Sequence, residues 1–362
     1  MEGIETESAC SVLLAWASAV EQVEPFSRIP EPLYPKNIMM SAYTRREFTK
    51  LALTALPAAG MFSALNPLRA AASGGKPNSR VAGVHIGLNV PYSFGGRTMA
   101  GDEILKNCRE LNLSAVELRA QPVELFMGMP AIVVAAKTGS PKAGAAADGN
   151  TAKIREWRKS ATMDRVKDFR RMYDEGGVSI EILKVDGIFA MTPEELDYSF
   201  TMAKLLGARA ISTEISKVDA DVRRVGEFAE KHQLMIALHG HASTTGAQYE
   251  HSYTLGKFVG TNLDIGHYVA GDNGSPVEFM KRHHARISHV HIKDRKLDKQ
   301  TKNGPNTPFG EGDTPIEEVL RLIRDNKWAI QATIEFEYKV PETSTRMGEI
   351  ARAVKYCRDA LA

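Results

Sequence analysis

The stretch Val178–His241, VSIEILKVDGIFAMTPEELDYSFTMAKLLGARAISTEISKVDADVRRVGEFAEKHQLMIALHGH, switches back and forth between two periods. Short runs rich in β-branched and aliphatic residues (VSIEILKVD, ARAISTEIS, LMIALHGH) alternate with longer runs whose apolar residues recur three and four apart (TPEELDYSFTMAKLLG, DADVRRVGEFAEKHQ). The first kind suits strands buried on both faces; the second suits helices that bury one stripe. Thr192-Pro193 ahead of Glu194 and Glu195 marks a helix start. A strand, a helix and another strand in succession bring the chain back to the same end, so the strands pair in parallel.

The rhythm extends both ways. Upstream lie VAGVHIGLNV (81–90) and SAVELRA (114–120); downstream lie TNLDIGH (261–267), ISHVHIKD (287–294) and ATIEFEY (332–338). Helical patterns separate them, among them GDEILKNCRELN, MDRVKDFRRMYDEGG, SPVEFMKRHHA and TPIEEVLRLIRDNK, with TRMGEIARAVKYCRDAL last; Thr244–Gly260 carries the least clear one. Eight such units predict an α/β fold, a closed (β/α)8 TIM barrel over residues 81–362. An open doubly wound sheet would carry a glycine-rich phosphate loop after its first strand, and PYSFGGRTM is a poor match. One segment breaks the pattern: AAKTGSPKAGAAADGN (135–150) reads as a long flexible loop, either a lid or a tolerated insertion.

Residues 1–80 do not share the pattern. SAYTRREFTK (41–50) places Arg45-Arg46 ahead of the apolar LALTALPAAGMFSAL and the small residues Ala70–Ala72. This resembles a twin-arginine export signal, cleaved near Ala72. The apolar run contains Pro57 and Gly60 and is shorter than the ~20 residues a spanning helix needs. The expectation is an exported, periplasmic or extracytoplasmic protein with no stable membrane insertion after cleavage. Such signals begin near a chain start, so Met39 or Met40 is the expected initiator.

A hydrophobic fraction of 43% with 25% charged residues is that of an ordinary globular protein. A net charge of +2 offers no basic surface, so no nucleic-acid partner is expected. Cys10, Cys108 and Cys357 are too few for a disulfide framework or a cysteine zinc site. Cys108 and Cys357 fall in helical patterns and read as buried, inert thiols.

The strand ends carry polar cargo: Glu214, then His239 and His241, then Asp264 and His267. His289 and His291 follow, with Asp294 and Arg295 just beyond, and last come Glu335 and Glu337. Residues two apart share a face, so either member of a pair is free to point inward. Taken singly, a strand histidine is a packing residue and a strand glutamate a partner for a nearby Arg or Lys. Five consecutive strands ending this way place the groups around one mouth, above an interior expected to be apolar. Unpaired, they would repel or resist burial; a divalent cation (Mn2+, Mg2+, Co2+ or Zn2+) resolves this, because carboxylate oxygens and imidazoles suit it. His232, His251, His283 and His284 fall in helical or loop stretches and are expected at the surface.

LDIGH, HVHIKDR and IEFE, in that order and spacing, resemble the xylose-isomerase-like superfamily, which includes ketose 3-epimerases, inosose dehydratases and endonuclease IV. The resemblance spans Val84–Leu361. It implies metal ligation by Asp264, His291 and Glu335, with His239 where the epimerases hold a glutamate and Glu214 as the replacement carboxylate. It also implies His267 and Arg295 near substrate, and a catalytic set of Glu335, His267, Arg295 and His241. The implied activity is a metal-dependent sugar isomerase or epimerase, which abstracts a proton next to a carbonyl of a small carbohydrate. The departure at His239 makes a dehydratase or keto-glycoside lyase the alternative. A non-catalytic sugar-binding barrel ranks next, and a metal nuclease like endonuclease IV last. Members are often dimers or tetramers, so a homo-oligomer is an expectation.

Overall fold

The computed structural model describes residues 75–96, 98–130 and 141–362, and for 141–150 the backbone alone. The export signal, its cleavage point and the candidate starts Met39 and Met40 lie outside the described residues.

Eight parallel strands close on themselves: β1 (Val84–Val90), β2 (Ala115–Arg119), β3 (Ser179–Lys184), β4 (Ala210–Glu214), β5 (Met235–His239), β6 (Val259–Asp264), β7 (Ile287–Ile292) and β8 (Gln331–Ile334). Each pairs with the next in sequence, and β8 pairs with β1. This is the (β/α)8 barrel that the alternation predicts. Packing begins slightly upstream of residue 81. Ser79 is buried against Ser114, and Arg80–Val81 form an antiparallel pair with the start of β1.

The surrounding helices are α1 (Gly101–Glu110), α2 (Ala120–Met127), α3 (Pro141–Ser160), α4 (Asp164–Gly176), α5 (Pro193–Leu206), α6 (Asp219–His232), α7 (Gly246–Tyr253), α8 (Ile265–Ala270), α9 (Pro276–His283), α10 (Ile316–Asp325) and α11 (Arg346–Leu361). Their ends follow local chemistry. Thr192 and Glu195 form a reciprocal capping box at the start of α5, and Gly207 ends it in the left-handed conformation. Ile316, Val319, Leu320 and Ile323 put the buried stripe of α10 on one side.

The two faces of the strands differ in kind. Ile86, Leu88, Val90, Val116 and Leu118 belong to one large apolar core together with helix residues. The lumen is mostly polar. Glu117 on β2 reaches His291 on β7, and Asn262 on β6 reaches Ser212 on β4, contacts between strands that are not neighbours. Apolar lumen packing reduces to Ile182, Ala210 and Ala237, with Met235 against them. The expected apolar interior is therefore corrected. Buried polar groups are tolerated there because acids, cations and amides pair with one another.

The reading of residues 135–150 as one loop is corrected for 141–150, which are helical, while 135–140 lie outside the described residues. Helix α3 begins at Pro141, a residue suited to the first helical position, and runs through the good helix former alanine at 145–147. Its second half is tied down: Arg158 reaches Glu124 Oε1 at 2.8 Å and Glu195 Oε1 at 3.0 Å, and Arg155 reaches Glu195 Oε2 at 3.0 Å. These contacts explain why a glycine-containing stretch becomes helix. The Thr244–Gly260 segment resolves into α7, capped by Thr245, with residues 259 and 260 already in β6.

Candidate metal centre

Four side chains from adjacent strand ends meet at the mouth: His239 closes β5, Asp264 closes β6, His291 lies in β7, and Glu335 follows β8 directly. Their ligand-type atoms all lie within 4.8 Å of one another, and all four residues are buried. His291 Nδ1 is 3.2 Å from Glu335 Oε2 and 3.6 Å from Asp264 Oδ2. Asp264 is no longer strand at its carboxylate: Oδ1 accepts the His267 backbone N–H at 2.7 Å and caps α8. His267 consequently sits on a helix, a correction to its expected place on the strand. The cap consumes one oxygen and leaves the other for the cluster.

The donor set fits a cation. His239 Nδ1, Asp264 Oδ2 and His291 Nδ1 are buried and have no hydrogen bond among the described residues. Such groups are rare in folded proteins unless something else satisfies them. Two imidazoles and two carboxylates suit Mn2+, Co2+ or Zn2+, and Mg2+ less well. The other two expected metal and mouth residues lie one step away. Glu214 is half exposed; it accepts from Lys184 Nζ at 2.6 Å and from His241 Nε2 at 2.8 Å. Glu214, His239 and His241 form a second ligand-type group that shares His239 with the first.

Lys293 supplies the charge balance. Its ammonium lies 2.6 Å from Glu335 Oε2, 3.1 Å from Asp264 Oδ2 and 2.5 Å from Glu337 Oε2. Burial alone would push the Asp264 and Glu335 carboxyls up. Lys293 outweighs it for both, aided by His267 at Asp264 and His291 at Glu335, and holds them well below the usual carboxylate range. Burial also depresses His239 far below its usual value, and lowers His267 to about 4, so both rings are neutral. Neutral imidazole is the ligating form, which His239 already has; burial would lower His291 too, but Glu335 and Glu117 outweigh it and raise it well above its usual value, so a metal ion bound there would displace its proton.

A further carboxylate sits beneath. Glu117 in β2 is fully buried, and its Oε2 is 2.5 Å from His291 Nε2. His291 thus turns one nitrogen to an acid and the other toward the cluster, the arrangement that orients metal-binding histidines. Neither Glu117 nor Lys293 stood out in the sequence. Glu117 lies mid-strand in SAVELRA rather than at an end; the signal was a charge inside a strand buried on both faces. Lys293 continues the two-residue alternation His289, His291, Lys293 onto the inward face.

Arg295 is buried, in a short ribbon pairing Asp294–Arg295 with Asn306–Thr307. Its guanidinium bonds His267 Nδ1, the Gly304 carbonyl and Asn303 Oδ1. The other ring nitrogen, Nε2, lies 3.3 Å from Lys293 Nζ, so cationic donors face both nitrogens of His267. His241 stands at the rim, 61% exposed at its side chain, its ring 4.8 Å from that of His267. Donation from Nε2 to Glu214 leaves its Nδ1 lone pair open. Of the other histidines, His251 is exposed, and His232 and His283 are half-buried against Asp197 and Glu250.

The fold is a TIM barrel with a ligand-type cluster at its mouth. A family model described as a xylose isomerase-like TIM barrel matches residues 203–360, the C-terminal part that holds the four clustered residues. Inosose dehydratase from Clostridium botulinum is 29% identical over 135 residues, covering 32% of this chain and 45% of that protein. Inosose dehydratase from Lactiplantibacillus plantarum is 30% identical over 132 residues, covering 31% and 44%. The aligned region thus spans less than half the length of these relatives. Among solved structures, a xylose isomerase domain protein from Planctomyces limnophilus matches with TM-score 0.53 and 15% identity, over 77% of this chain and 97% of that one. The probable 3-DHS dehydratase of petrobactin synthesis from Bacillus anthracis matches with TM-score 0.52 and 14% identity, over 75% and 99%. These structural likenesses concern the fold.

Proposed function

We propose that this chain is a metal-dependent enzyme that takes a proton from a carbon next to a carbonyl of a small carbohydrate and expels a β-hydroxyl as water. The observation that carries the reading is the convergence of His239, Asp264, His291 and Glu335, with His239 Nδ1 buried and without a hydrogen-bond partner among the described residues. A divalent ion held by these four residues would supply Lewis-acid polarisation of a carbonyl.

The remaining roles belong to the chain's own side chains. Glu335 is a poor base, because Asn89 Nδ2 donates to its Oε1 at 2.8 Å and Lys293 occupies its Oε2. His241 is the better one: Glu214 holds its Nε2, and its side chain is largely exposed at the mouth. The C–H proton passes to His241, and the electron pair moves toward the carbonyl. The β C–O bond then breaks, and the leaving oxygen takes the proton back from the His241 imidazolium to depart as water. His267, its Nδ1 held by Arg295 and its Nε2 set against the Lys293 ammonium, packs its ring beside His241 at the mouth. The dehydratase names of the sequence relatives agree with elimination as the outcome.

Isomerisation or epimerisation is the second reading. Glu335 follows β8 and His241 follows β5, so the two groups reach the mouth from different strands. Incubation of the manganese-loaded protein with an inosose in deuterium oxide, followed by proton NMR, tests both. Elimination predicts a dehydrated enone or diketone product; epimerisation predicts deuterium in an otherwise saturated sugar. His241→Asn should slow either reaction by about 100-fold or more with metal content unchanged. Unchanged turnover in that variant would remove His241 from the mechanism. We further propose, from Arg45-Arg46, that the protein acts outside the cytoplasm, which fractionation of the cell that makes it would test.

A further inference from the structure

Next to the four-residue cluster the surface encloses a cavity of about 310 Å3, within the size range of small-molecule sites. Separate segments build it: Tyr92 and Gly95 after β1, Asn306 from the ribbon, Phe336 and Glu337 after β8, and Arg346 at the start of α11. Glu337 is the shared wall, because Lys293 bonds both Glu337 and Glu335. A ligand in the cavity therefore abuts the cluster.

The charges around the cavity are unequally satisfied. Both Glu337 oxygens are engaged, one by Tyr92 Oη at 2.7 Å and the other by Lys293. Arg346 is different. Its guanidinium lies 5.0 Å above the Phe336 ring and donates to the Ser93 carbonyl at 3.1 Å, and among the described residues no carboxylate pairs with it. Stacking and one hydrogen bond fix the plane of the fork and leave further N–H groups for a ligand. Gly95, at φ +88°, makes room for it: a Cβ there would lie 3.1 Å from Arg346 Nε. The cavity thus offers a pre-set cationic fork, and a planar carboxylate matches it.

We propose that this cavity is the subsite for a carboxylate on the substrate, so that the protein works on a sugar acid rather than a neutral sugar. The inference rests on the carbohydrate-enzyme reading above. The test is calorimetric binding of D-glucuronate and of D-glucose, which differ at one carboxylate, to the full metal-loaded protein. The expected result is at least tenfold tighter binding of glucuronate. Arg346→Met should abolish the preference, and Arg346→Lys should keep part of it, because a point charge replaces the fork. Metal content and melting temperature should hold in both variants. Equal binding of the two sugars, no measurable binding of glucuronate, or a preference that survives Arg346→Met would overturn the proposal. A protein that takes up no metal yet still prefers glucuronate would instead count against the enzyme reading and leave the subsite standing.

Discussion

Asp264 divides its two oxygens between two jobs, one capping α8 and one facing the cluster. Asparagine caps as well as aspartate, so in the metal-free protein Asp264→Ala should cost about 1 kcal/mol more than Asp264→Asn. Equal losses in thermal unfolding would show that the cap carries no stability. Glu117 is the other residue whose role is set by one contact. Glu117→Gln replaces the acceptor of the His291 proton with an amide, and should weaken metal affinity by about 10- to 100-fold in a competition titration with a chelator. Unchanged affinity would reduce Glu117 to a packing residue. At this scale the sequence spoke clearly wherever a polar residue ended a strand, as at His239 and Asp264. It was mute where polarity sat deep, because Glu117 and Lys293 make sense only once contacts across the lumen are known.

Helix α3 shows the same limit one scale up. Its composition, with Gly144 and Gly149 among alanines and lysines, says loop; what holds it is tertiary, the bonds from Arg155 and Arg158 to Glu124 and Glu195. Glu124 is almost wholly buried, so Arg158→Ala strands a buried carboxylate and should destabilise the fold by about 3 kcal/mol in chemical denaturation. A loss under about 0.5 kcal/mol would show that α3 docks by other means. The same pair gives a pH dependence. Burial pushes the Glu195 carboxyl up, but the Thr192 backbone N–H and both arginines outweigh it and leave it below its ordinary value. A depressed carboxylate contributes stability that is complete above its unfolded-state pKa and disappears as pH falls through the folded one. The melting temperature should therefore drop more steeply with acidification below about pH 4.5 in the native protein than in Arg158→Ala. Parallel curves would contradict this. Elements with strong internal period, such as α5 and α10, were legible from sequence to within a few residues; α8 was hidden because its first residues extend the strand motif LDIGH.

For the molecule as a whole, strand order was the most legible feature, since parallel pairing of successive units leaves few other ways to close a sheet. The polar lumen was not, because period-two alternation in a two-sided strand gives no hint of which face meets the axis. That lumen organises the rest. Charges at its depth (Glu117, Lys184) hold the groups above them (His291, Glu214), and the mouth places those groups around a single point. The central claim is that this point binds a divalent metal. Elemental analysis of the purified protein beside Asp264→Ala tests it most directly. About one divalent ion per chain, lost in the variant while the barrel still unfolds cooperatively, is the predicted result. A protein that holds no metal even after reconstitution with manganese and cobalt, or a variant that keeps its ion, would contradict it.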